Sequence, residues 1–242
     1  MSERSHGRLV GVGVGPGDPE LLTIKGLRAL READEVFVPV GDTSEVGRAE
    51  AVVQAHLGPE RTRRLLFALS EDERARAKNW ENAAREVAEP LRQGKTCAFA
   101  TIGDPNLYST FTYLVRALRD ILEVKVKTVP GITAMQDLAS RSGTVLLLGN
   151  ERLALLPFTA GEKALQNALR DFETVVCYKG GQRLDEVLKV ADEAGRLEDA
   201  IYGSRLGLKG EEIVPASAMV GREGTYLSTV IFARGVEVGG GD

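Results

Sequence analysis

Residues 11–26 read GVGVGPGDPELLTIKG and residues 101–111 read TIGDPNLYSTF, so a Gly-Asp-Pro step occurs twice, each time ahead of an apolar-patterned segment. In the first copy Val10, Val12 and Val14 fall on one face of an extended strand, and Gly11, Gly13 and Gly15 leave the other face bare. A bare strand face lets a ligand or another backbone come close. Asp18 suits an N-cap and Pro19 the first helical position, which predicts a strand over 8–15 turning sharply into a helix over 19–33. The second copy has the same parts, with Asp104 as N-cap and Pro105 opening a helix. Both turns then sit at the carboxyl end of a sheet, where open α/β sheets bind ligands.

Outward from these turns the chain alternates strand and helix. DEVFVPV, TCAFATIG and the half-exposed VKVKTV read as strands, and Trp80, Ala83, Ala84, Val87, Ala88 and Leu91 mark an amphipathic helix. LYSTFTYLVRALRD reads as a helix, and Thr133 with Gln136 has capping-box spacing, so a further helix starts there. TVLLLG, ALLPF, TVVCYKG, DAIYGSR and TYLSTVIFAR are further strands, with helices at 162–170 and 182–194. Residues 41–79 are polar and charged and fit no element. The pattern predicts an α/β protein of two domains with mainly parallel sheets, 1–124 and 125–238, and a disordered tail at 239–242.

Composition excludes several classes. The 242 residues, 43% apolar and 27% charged, are enough to bury roughly 70% of the unfolded surface. The opening MSERSHGR lacks an apolar core and no apolar run reaches membrane-spanning length, which predicts a cytoplasmic protein with no membrane partner. Cys97 and Cys177 lie in strand patterns and read as reduced core residues. With only His6 and His56 besides, there is little material for a metal site or a histidine triad. His6 reads as part of a frayed terminus. A net charge of -4 argues against a nucleic-acid partner.

The dinucleotide fingerprint G-x-G-x-x-G fails here, because its third glycine would fall at Pro16 or Asp18. No Walker phosphate loop occurs. An aspartate at each turn repels phosphate and receives a hydroxyl or ammonium, so the pattern fits a cofactor that is not a polyphosphate. On the residues alone, two plain helix starts read equally well.

Taken together and in order, VGVGPGDPELLTIKGLRALREADEVFVP, TIGDPNLYST, VPGITA, VVCYKGG and YLSTVIFAR resemble the tetrapyrrole methylases. The segment 65–94, with Phe67, Asp72, Trp80 and the Ala83-Ala84 pair, and the Ser-Thr of GDPNLYST are similar to the subfamily that methylates C(20) of precorrin-2 or cobalt-factor II. The resemblance implies two α/β domains with cofactor and substrate in the cleft between them, S-adenosylmethionine as cofactor, a tetrapyrrole substrate and a homodimer. It implies cofactor contacts at Pro16, Ile102, Gly103, Asp104, Leu107, Thr133, Ala134, Lys179 and Leu206, several through the backbone, with Lys179 standing where many relatives carry methionine. The first turn would then face the substrate and the second the cofactor.

A sulfonium is an activated methyl donor and a meso carbon is a carbon nucleophile, so the chemistry needs placement more than a protein nucleophile. No catalytic residue is singled out; Tyr108 and Asp18 are the candidate bases, each also readable as an aromatic or a helix cap. A substrate of about eight carboxylates calls for arginines, with their bidentate geometry. Arg48, Arg61, Arg63, Arg64 and Arg205 are available, and the charged stretch 41–79 is the expected clamp. Any metal would arrive with the ring. Two alternatives stay open: a methylase of this fold acting elsewhere on the ring or on RNA, and a non-catalytic cofactor-binding module.

Overall fold

The computed structural model describes residues 7–42, 44–67 and 73–234. His6, Asp72 and the tail expected at 239–242 lie outside the described residues. The chain divides into two units, Met1–Thr133 and Ala134–Asp242, a later division than the expected 124/125. Pairing explains the shift. Strand β5 (Lys125–Val129) runs parallel to β1 (Arg8–Gly13), with Leu9 opposite Val126 and Val12 opposite Val129, and so completes the first sheet.

The first unit continues with α1 (Ile24–Glu32), β2 (Glu35–Val40), α2 (Arg48–Leu57), β3 (Thr62–Leu66), α3 (Glu73–Arg92), β4 (Thr96–Thr101) and α4 (Thr110–Arg119). Its strand order is β3-β2-β4-β1-β5 and every pairing is parallel. The period of two sorts the side chains into two cores. Val10, Val12, Val36, Val38, Ala98 and Ala100 pack with Leu30 of α1 and with Val52 and Val53 of α2. Leu9, Phe37, Leu65, Cys97 and Phe99 face the other way, onto Val87 and Leu91 of α3 and Phe111, Leu114 and Leu118 of α4. Each buried Val, Leu or Phe side chain among them contributes about 1.5–3 kcal/mol, which fixes the register because a one-residue slip would exchange the two cores.

The second unit holds α5 (Ala134–Ser142), β6 (Leu153–Pro157), α6 (Glu162–Asp171), β7 (Thr174–Tyr178), α7 (Leu184–Glu193), β8 (Ala200–Ser204), β9 (Glu212–Pro215) and β10 (Ser228–Ala233), in sheet order β6-β7-β10-β8-β9. The α/β class holds in both units, but the second sheet is parallel only between β6 and β7 and antiparallel at its other three pairings. Chain length is the reason for the β8–β9 pairing. A parallel return needs a dozen or more residues, and β8 is joined to β9 by residues 205–211 alone. Val175 and Cys177 face α6 and α7, while Val176 and Tyr178 face the side covered by α5.

Three segments depart from the sequence expectation. Residues 145–148 of TVLLLG form no strand, and Leu147 and Leu148 are exposed. The stretch 41–79 contains α2 and β3, neither of them expected, and β3 was missed because it is an edge strand whose TRRLL alternates only weakly. β9 was missed for the same reason. Cys97 and Cys177 are free and buried, as expected.

Candidate functional site

Beyond β1 the Val14 amide donates to the Thr101 carbonyl at 2.9 Å, and Gly15, in the left-handed region at φ 84°, accepts from the Gly103 amide at 2.8 Å. Pro16 and Gly17 follow, both buried. Asp18 does cap, accepting from the Glu20 amide at 2.9 Å with Pro19 next, but what it starts is a single 3-10 turn, Pro19–Leu21. The α-helix begins anew at Ile24, where the Thr23 hydroxyl accepts from the Gly26 amide at 3.0 Å. The helix expected over 19–33 is thus broken at 22–23. With its first turn capped by its own threonine, α1 does not present the open N-terminus that a pyrophosphate site uses. His56 donates from Nε2 to the Pro19 carbonyl at 2.9 Å and ties the 3-10 turn to α2.

The second turn corrects the sequence reading more sharply. Asp104 is not an N-cap and Pro105 opens no helix; α4 starts at Thr110, capped by Ser109, whose Oγ accepts from the Phe111 amide at 3.1 Å and lies 2.9 Å from Thr101 Oγ1. Asp104 instead braces a loop. Its Oδ1 accepts from the Asn106 amide at 2.8 Å and its Oδ2 from the Gly131 amide at 3.0 Å. The loop needs its own turn because Gly103 (φ 68°) and Tyr108 (φ 48°) are both left-handed.

The bare face of β1 is therefore occupied by the protein itself. A Cβ on Gly11 would lie 2.5 Å from the Phe111 ring, and one on Gly13 would lie 2.4 Å from the Gly103 carbonyl oxygen and 2.6 Å from the Gly131 nitrogen. Three backbones meet at Gly13, Gly103 and Gly131. Only at Gly103 does an added Cβ meet nothing within 4 Å, so a ligand can reach van der Waals contact with this loop there. Ile102 packs against the valine core, the Leu107 amide donates to the Asp104 carbonyl at 3.2 Å, and Thr133 is buried.

In the second unit α5 starts at Ala134, as the capping-box spacing predicts, and the Met135 amide donates to the Tyr178 hydroxyl oxygen at 3.0 Å. Lys179 follows at φ 58°, exposed, and leads into Gly181, where a Cβ would lie 1.7 Å from the Thr225 carbonyl oxygen. After β8, Arg205 is left-handed at φ 52° and Leu206 is buried in the same core as Leu138 of α5. Among the described residues Tyr108, Lys179 and Arg205 are the only non-glycine residues in this region. Strained backbone of this kind gathers at binding and catalytic sites. Sequence reasoning could not find it, because none of the three is the glycine or asparagine that signals such a turn.

The arginines divide. Arg61 donates to the Ala33 carbonyl at 3.0 Å, Arg63 pairs with Glu35 at 3.4 Å over the Phe37 ring, and Arg64 pairs with the buried Glu50 at 2.8 Å. These three anchor β3 and its approach, which leaves Arg48 as the arginine of 41–79 expected to meet substrate. Arg48, the first residue of α2, and Arg205 keep exposed positions at the carboxyl ends of β2 and β8. Tyr108 is 45% exposed, whereas the Asp18 carboxylate is engaged by the cap. Trp80 stacks on Tyr113 at 4.4 Å between α3 and α4, a pairing the helix periodicity did not reveal.

The signature of the tetrapyrrole (corrin/porphyrin) methylases matches residues 8–219. A precorrin-2 C(20)-methyltransferase of Sinorhizobium sp is 35% identical over 240 residues, 96% of this chain and 97% of that one. A cobalt-precorrin-2 C(20)-methyltransferase of Salmonella typhimurium is 29% identical over 210 residues, 86% of this chain and 87% of that one. Among solved structures, the cobalamin biosynthetic enzyme cobalt precorrin-4 methyltransferase shares the fold with a TM-score of 0.70 at 21% identity, covering 96% of this chain and 97% of that one. So does the uroporphyrin-III C-methyl transferase of Thermus thermophilus complexed with S-adenosyl homocysteine, with a TM-score of 0.66 at 24% identity, covering 94% of this chain and 98% of that one. The chain belongs to the tetrapyrrole (corrin/porphyrin) methylases.

Proposed function

We propose that this protein transfers the methyl group of S-adenosylmethionine to the C(20) meso carbon of precorrin-2, or of cobalt-factor II, in cobalamin biosynthesis. The observation that carries the reading is the match to the Sinorhizobium enzyme along nearly the whole length of both chains. Transfer to RNA or a role without turnover is not favoured by any of these relatives.

The residues present fit the donor. Gly103 leaves open space beside a loop braced by Asp104. The family resemblance gives Pro16, Ile102, Gly103, Asp104, Leu107, Thr133, Ala134, Lys179 and Leu206 as the residues that would hold it. When bound, the donor supplies a methyl group already activated on a sulfonium. The chain's contribution is then orientation, for which well-placed reactants gain up to about 7–11 kcal/mol. Arg48 and Arg205 are the arginines positioned to receive substrate carboxylates. Asp18 caps the 3-10 turn that follows the buried Pro16 and Gly17, on the side proposed for the substrate. Tyr108 stands exposed beside the donor loop.

The test is incubation with labelled S-adenosylmethionine and either ring form. Mass spectrometry should find a single methyl added to the tetrapyrrole, and no gain on either ring would refute the reading. We infer further that the protein acts in the cytoplasm as a homodimer. No helix among the described residues is long and apolar enough to cross a membrane. The exposed Leu147 (44%) and Leu148 (50%) are apolar surface suited to a second copy.

A further inference from the structure

We propose that α5 is the positioning element for the second unit's share of the donor site, set by the Tyr178 hydroxyl at its start and by Glu211, acting through Arg141, near its end; this rests on the donor-binding reading above. The first amides of a helix lack intrahelical partners and are ordinarily met by a short side chain at the N-cap. Here the Met135 amide donates to a phenol from the end of β7, and the residue after that phenol is the left-handed Lys179. Near the other end Arg141 donates from both guanidinium nitrogens to Glu211, with Nη2 2.7 Å from Oε1, while Asp137 lies 3.6 Å from the same guanidinium. Glu211 also accepts from the Gly207 amide at 2.6 Å, closing the turn that begins at the left-handed Arg205.

Each strained non-glycine turn of this unit thus adjoins a residue, Tyr178 or Glu211, that is bonded to one helix. Strained turns persist where their surroundings over-determine them. Packing alone already holds α5 to the sheet, since Leu138 and Ala139 are buried against Val176 and Ile231 and Gly203 leaves just enough room for Leu138. The two polar ties add what packing does not, namely the axial position and tilt of α5 relative to Lys179 and Leu206. Tyr178 and Glu211 are positioning residues rather than catalytic ones.

Three variants test this: Tyr178→Phe, which removes one oxygen, Glu211→Gln, which keeps the size and removes the charge, and Arg141→Lys, which keeps the charge and loses the paired geometry. S-adenosylhomocysteine is the probe in calorimetry, alongside donor KM, kcat and thermal midpoint. The dissociation constant and the donor KM should each rise about three- to tenfold in Tyr178→Phe and Glu211→Gln, with kcat at saturating donor changing less. Arg141→Lys should fall between these and the wild type. A lowered midpoint with unchanged S-adenosylhomocysteine affinity would overturn the inference and leave the proposed function standing. Wild-type protein that binds no S-adenosylhomocysteine would remove both.

Discussion

The Asp104 carboxylate holds Gly131 in place: Oδ2 accepts from its amide at 3.0 Å while Oδ1 accepts from the amide of Asn106 at 2.8 Å. One side chain thereby joins the loop after β4 to the loop after β5. Asp104→Ala strands two amides and should destabilise the protein by about 1–3 kcal/mol, more than the ~1 kcal/mol of a lost helix cap. Asp104→Asn should fall between alanine and the wild type, because its one carbonyl oxygen can accept from either Gly131 or Asn106 while its NH2 faces the other N–H donor. Urea unfolding gives the stability and calorimetry with S-adenosylhomocysteine the affinity. Wild-type values for both variants would take Asp104 out of the loop brace and out of the donor site.

Gly13 and Gly103 should respond to alanine in opposite ways. In Gly13→Ala the new Cβ would sit 2.4 Å from the Gly103 carbonyl oxygen, so the donor loop must move and S-adenosylhomocysteine binding should fall by more than tenfold. Gly103→Ala meets no atom but must hold φ 68°, a strain of roughly 1–2 kcal/mol. It should fold with reduced stability and retain weakened binding. Equal behaviour of the two variants would contradict the three-backbone junction.

What the sequence made legible follows the period of its apolar residues. The valines and glycines of β1 and the Trp80–Leu91 stripe were readable because each lies on a buried face with a clear period, and the start of α5 at Ala134 from the capping-box spacing of Thr133 and Gln136. The edge strands β3 and β9 were not, because a strand half open to water needs no strict alternation. At the second Gly-Asp-Pro the local signal misled. Asp104 and Pro105 have the chemistry of a helix start, yet Gly131, distant in sequence, takes one carboxylate oxygen and Ser109 takes over the cap. A tertiary partner overrode the local preference. The left-handed Tyr108, Lys179 and Arg205 carry no local mark at all.

The thiols give a pH prediction. Burial pushes the Cys97 thiol up to about 12, with Glu35 and Asp34 adding to the shift, and burial alone does the same for Cys177. Both should resist a disulfide reagent at pH 8 in the folded protein and react on unfolding in urea. A raised folded pKa means that the protonated thiol favours the native state. That contribution is complete below the ordinary 9.0 and is lost as pH rises toward about 12, so stability should decline across this alkaline window. Rapid labelling of the native protein would contradict the burial of either thiol.

Assembly is open to a direct check. Sedimentation at micromolar concentration should give about twice the chain mass, the commonest closed arrangement being a twofold dimer. Replacing the exposed Leu147 and Leu148 by serine should shift the protein toward the monomer. A wild-type monomer would refute the dimer and leave the methylase reading untouched.

The central claim is the position on the ring. On the proposed reading the donor is held in one place, so which ring atom meets the methyl depends on how the substrate's carboxylates are held, and a rotation of the macrocycle would change the product. Carbon NMR of the tetrapyrrole formed from methyl-labelled S-adenosylmethionine and precorrin-2, repeated with cobalt-factor II, reads this out directly. The account predicts one labelled methyl on the C(20) bridge between rings A and D; label on a pyrrole carbon, or on any other bridge, would contradict it.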